Sequence, residues 1–120
     1  MRLLLNVAMI TAAMTLMSNA QACTTGDIRI EQFTWRPDID GWIKVVGQIR
    51  NLCPTAVGAE LQITFKDKSG AVSDVDEFWP ASTRNIASGG AYPFAKTYET
   101  RHGAIGLPTE TAIIDVRQWR

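Results

Sequence analysis

Beyond residue 22 the chain alternates apolar and polar positions in short runs with a period of two, and none of these runs has helical spacing. The clearest is 59–66, where Ala59, Leu61, Ile63 and Phe65 alternate with Glu60, Gln62, Thr64 and Lys66, the pattern of a strand with one face in a core. Before it, 42–52 sets Ile43, Val45 and Ile49 against Lys44, Gln48 and Arg50. Gly47 falls on the apolar face of that run, which predicts a close backbone approach or a large side chain filling the gap. In 27–35, Ile28 and Ile30 occupy one phase and Phe33 and Trp35 the other, so a bulge or a change of sheet is expected near Glu31-Gln32.

Pro37-Asp38-Ile39-Asp40-Gly41 and Asp67-Lys68-Ser69-Gly70 are turn sequences, the second with Asp67 bonding its own backbone and Gly70 free to take positive φ. The run 71–78 is more polar and reads as a strand near a sheet edge, ended by Phe78-Trp79-Pro80. A short extended piece at 82–87 and a turn at Ser88-Gly89-Gly90 lead to a strand at 91–99 with Tyr92, Phe94 and Tyr98 in register. Residues 100–110 read as a surface loop, and 111–119 as a last strand centred on Ile113, Ile114 and Val116. About seven short strands separated by turns predict an all-β fold, an antiparallel immunoglobulin-like β-sandwich.

The start of the chain is different. Met1-Arg2, an apolar run over 3–17 and Ser18-Asn19-Ala20-Gln21-Ala22 ending in A-x-A form a secretory signal peptide, 1–22, ahead of one domain, 23–120. The apolar run of 15 residues is shorter than the roughly 20 that span a bilayer, so no stable membrane insertion is expected after signal removal, and a periplasmic or secreted location is. Loss of 1–22 removes Arg2 alone among charged residues and leaves 11 basic side chains against 12 acidic ones, with signs interspersed. Such a chain does not advertise nucleic acid or an anionic membrane as a partner.

Both cysteines, Cys23 and Cys53, lie in the exported part, where a disulfide is the default. Lipidation of Cys23 is the alternative; Ala20 stands where a lipoprotein signal wants a large aliphatic residue, which favours the disulfide. A hairpin that pairs Trp35 near Trp42 has partner numbers summing to about 77, and Cys23 with Cys53 gives 76, so the two sulfurs are expected at its far end. The same register makes Trp35 and Trp42 a candidate cross-strand pair.

Gly47-Gln48-Ile49-Arg50-Asn51, the run 61–65, Asp67 through Gly70, and Gly89-Gly90 leading to Phe94 together resemble the FxLYD domain family of exported bacterial proteins. The resemblance spans about 42–98. Ile63, Phe65 and Lys66 stand where the family has Phe, Leu and Tyr, and Asp67 agrees. It implies an immunoglobulin-like module in which the matching residues are structural, with no catalytic residue to carry over.

No catalytic constellation is present, and an enzyme is not expected. His102, the only histidine, has no second histidine or reactive cysteine to complete a zinc set or nucleophile pair. Asp74, Asp76 and Glu77 lack the glycine-bearing loop of an EF-hand and read as a solvated strand face, so no metal or cofactor is expected. Of Trp35, Trp42, Trp79 and Trp119, at least one is expected to be exposed. The leading expectation is a non-enzymatic interaction or accessory module that binds another exported protein, through a sheet edge or through turns carrying Phe78, Trp79, Arg101 and His102. Alternatives are an inhibitor of an exported hydrolase presenting His102-Gly103, and a carbohydrate-binding module using exposed tryptophans.

Overall fold

In a computed structural model, residues 22–100 and 106–120 are described; the expected signal peptide and the tip carrying Arg101 and His102 lie outside them. A short 3-10 turn, Thr25–Asp27, precedes six strands: β1 (Ile28–Pro37), β2 (Trp42–Asn51), β3 (Gly58–Lys66), β4 (Val72–Phe78), β5 (Ala91–Glu99) and β6 (Leu107–Arg117). They form a β-sandwich of two antiparallel three-stranded sheets, ordered β1-β2-β5 and β4-β3-β6.

The alternation read from the sequence sets the core. Val45 and Ile49 from β2, and Leu61, Ile63 and Phe65 from β3, are fully buried between the central strands. A Cβ placed on Gly47 would lie 2.8 Å from Cζ of Phe94, so the ring of the neighbouring strand fills the gap the glycine leaves. The bulge falls where the phase change places it. The β1–β2 register shifts between Glu31 and Thr34, and Gln32 takes φ 55°. Asp67 Oδ1 accepts from the Ser69 amide at 2.8 Å and the Ala71 amide at 3.1 Å, and Gly70 sits at φ 85°.

Three readings are corrected. Residues 82–87 contribute a turn, with Ser82 at φ 57°, and one isolated bridge, Val57–Ile86, in place of a full strand. The surface loop is shorter than expected, since β6 begins at Leu107; Pro108 lies opposite Phe65 beside a register shift on an edge strand, where a missing N–H is tolerated. Trp35 does not meet Trp42. The turn closes with the Asp38 amide donating to Trp42 O and the Trp42 amide to Ile39 O, which puts Trp35 opposite Val45 and Trp42 opposite Glu99.

The disulfide nonetheless forms between Cys23 and Cys53, with Cα atoms 5.8 Å apart. The Leu52 amide bonds Asp27 O at 2.8 Å, so a straight continuation would bring Gly26 opposite Cys53. The 3-10 turn folds the chain back over those three residues and delivers Cys23 instead.

Asn51, wholly buried, locks the corner beside it. Its Nδ2 donates to Thr55 O at 2.9 Å and Ile86 O at 2.8 Å, and its Oδ1 accepts from the Cys53 amide at 2.9 Å. Asn51→Ala strands the Cys53 amide and Thr55 O, while Ile86 O keeps its bond from the Val57 amide, and is expected to cost about 2–3 kcal/mol in a urea melt. A cost under about 0.5 kcal/mol would show the corner holding itself without the amide.

Candidate functional site

The sheets leave four edge strands, each interrupted to a different degree. β1 carries the bulge at Gln32, β4 is short with Asp74, Asp76 and Glu77, and β5 has Pro93 in mid-strand. β6 is the longest strand; Pro108 and register shifts at Thr109 and Ile114 interrupt it, and its stretch Thr109-Glu110-Thr111-Ala112 has one charge and no proline, with 110–112 in regular register with β3. The 3-10 turn and β1 approach β6. Ile28 at the start of β1 is buried there, whereas Ile30, Phe33, Trp35 and, on β6, Ile113 are only half-buried.

Along the opposite side, between β4 and β5, Asp76 and Lys96 both occupy inward-facing positions. Lys96 Nζ lies 2.7 Å from Asp76 Oδ2, which also accepts a short bond from the Tyr98 hydroxyl. Burial first, and then the Asp76 carboxylate, hold the Tyr98 phenol protonated well above its ordinary range. Lys96 also lies over the Phe78 ring at 4.3 Å, and Phe78 meets Phe94 edge to face with centroids 5.8 Å apart. Asp76 is therefore part of an ion-pair network and not of a solvated acidic face. Glu77 points outward and accepts from Gln62 at 3.0 Å. Among the described residues no group of three or more His, Cys, Asp or Glu could hold a metal.

Trp79 packs on Trp119, edge to face with centroids 5.2 Å apart, and Arg117 lies over both rings at 5.4 and 5.0 Å. Trp119 covers Gly58, where a Cβ would come within 2.6 Å of its indole nitrogen, and the Asn85 amide bonds both the N–H and the C=O of Trp119 at 2.8 Å. All four tryptophans are half-buried, so the expectation of an exposed one is corrected: each lies against a strand or a neighbouring ring.

Of the expected binding residues, Phe78 and Trp79 are adjacent and engaged in these contacts. The residues flanking Arg101 and His102 are anchored elsewhere. The Thr100 amide bonds Gly41 O and the Gly106 amide bonds Ser73 Oγ, both at the end of the sandwich opposite Trp79. The sequence reading overlooked Lys96 and Arg117. Lys96 was findable, because it shares the inward phase of Phe94 and Tyr98 and a charge there demands a partner. Arg117 gave no such signal; its role depends on where Trp119 folds. Among the described residues no helix is long and apolar enough to cross a membrane. Comparison of the chain with family models, with curated proteins and with solved structures finds no match.

Proposed function

We propose that this is an exported, non-enzymatic interaction module of immunoglobulin-like type that binds another exported protein by adding a partner strand to β6 at residues 109–112. The observation that carries the reading is a contrast of degree among the edges: β1 is bulged, β5 carries Pro93 in mid-strand and β4 clusters acids, whereas β6, between its register shifts at Thr109 and Ile114, pairs regularly with β3 over 110–112 and carries one charge and no proline there. A partner strand would extend the β4-β3-β6 ladder through main-chain hydrogen bonds and shield the half-buried Ile113 beside it. The strand order, with consecutive strands crossing between sheets after β2, β4 and β5, supports the immunoglobulin-like reading, as does the Asp67 turn shared with the FxLYD pattern. Export is supported by the disulfide.

The tryptophan pair favours packing over sugar binding, since each ring engages the other and Arg117 covers both. A photo-crosslinking residue at Ala112 tests the proposal in exporting cells: protein adducts are expected there and not at Ser88, an exposed turn position. Capture from the exported fraction should be unchanged by Trp79→Ala. No adduct at Ala112, or equal yield at Ser88, would sink the edge-binding reading.

A further inference from the structure

Charges interspersed along the sequence are sorted by the fold. Residues opposite one another in an antiparallel pair point to the same face, so the registers assign each paired strand residue to an inner or an outer surface. The outer face of β1-β2-β5 carries Arg29, Arg36, Lys44 and Arg50 against Glu31 and Glu99, four cations to two anions. The outer face of β4-β3-β6 carries Glu60, Glu77, Glu110 and Asp115 against Lys66 and Arg117, four anions to two cations.

Each face also carries apolar side chains, at mid-strand on the cationic face and toward the Asp67–Gly70 end on the anionic one. On the cationic face Val46, Gln48, Pro93 and Ala95, with Gln32 of the bulge, line a shallow open groove floored by Gly47 and the Phe94 ring beneath it. On the anionic face Val72 and Leu107 both lie opposite Lys66, and Val75 lies opposite Thr64; these side chains are 59%, 45% and 43% exposed. These three exposed apolar side chains flank Lys66 at that end of the face and give a partner surface apolar contact beside charge.

We infer that the anionic face of one copy seats on the cationic face of a second, with Val72, Val75 and Leu107 against the groove and the two charged rims opposed. The occupant is a second copy of this chain because the two outer faces carry opposite charge excesses of equal size and each exposes apolar side chains. The contact is heterologous: each copy that joins leaves one face of each sign open, so copies stack head to tail. Three strands about 4.8 Å apart and about nine residues long cover roughly 400 Å², half the area per partner of a standard interface, so the association is weak and dependent on salt. It uses the outer side-chain face of β6, with Glu110 and Leu107, whereas strand addition uses that strand's free backbone edge, so a self-adduct at Ala112 would report stacking and a hetero-adduct the edge.

Sedimentation velocity of the exported protein at up to roughly millimolar concentration is the test. At about 0.01 M salt the sedimentation coefficient should rise with concentration, and at about 1 M salt, where the screening length falls from about 30 Å to about 3 Å, the rise should vanish. Arg36→Glu with Lys44→Glu makes both faces anionic, and Glu60→Lys with Glu77→Lys makes both cationic; each double variant alone should stay monomeric, and an equimolar mixture of the two should associate again. Unchanged thermal melts would show that these outward positions left the fold intact. A wild-type protein monomeric throughout at low salt, association that survives either reversal, or a mixture that stays monomeric would overturn the inference.

Discussion

Phe65→Ala is expected to remove about 3–5 kcal/mol of stability, a large share of what a domain of this size possesses. Phe65 is 1% exposed, lies at the inner face of the central strand of its sheet, and meets Tyr98 of the other sheet edge to face with centroids 4.8 Å apart. Its removal would lose the transfer energy of a large aromatic and leave a cavity between two sheets that are each held by backbone ladders and so collapse poorly. Tyr98 would also lose its ring partner while its hydroxyl stayed bonded to Asp76, which prevents it from swinging into the space. In thermal melts the midpoint should fall by roughly 12–40 °C, and Phe65→Leu should recover more than half of that loss. A fall below about 4 °C would mean that the ring is not a core member.

Removal of the disulfide comes second. With a sequence separation of 30 between Cys23 and Cys53, the loop-entropy argument assigns the cross-link about 3–4 kcal/mol, acting chiefly on the unfolded chain. Cys23→Ala with Cys53→Ala should therefore lower the urea midpoint and raise the m-value, because the unlinked denatured chain exposes more surface. Thiol titration of denatured, unreduced protein should find no free thiol. Cys53 is 2% exposed, so an acyl group on Cys23 would strand a buried thiol in the core corner. Two free thiols, or a variant as stable as the wild type, would contradict the linkage.

Much of this fold was legible because alternation has a single physical cause. Positions 59–66 show it best: each apolar residue of that run is buried and each polar one faces outward. The bulge at Gln32 was legible as a change of phase, and Gly47 as a gap that Phe94 fills. The register of the first hairpin was not. It depends on the two hydrogen bonds that close the turn before Trp42, and composition permits several turn geometries. The start of β6 was hidden by Pro108, which reads as a loop signal in sequence and is harmless on an edge. The open edge of β6 and the sorting of charge between the two outer faces could not be read without strand order, because both depend on which strands are neighbours.

The disulfide end has a geometric consequence for how the domain is carried. Cys23 is tied to Cys53 beside the start of β3, and Trp119 is held by Asn85 over Gly58, so the first and last described segments leave the sandwich on the same side. The turns at Asp38–Gly41 and Asp67–Gly70 lie at the far pole, roughly 30 Å away along the strands. Whatever is joined to either terminus, a surface, a tag or a neighbouring domain, therefore holds the molecule like a post with those turns pointing outward. A reporter fused at either end should leave them equally accessible to protease.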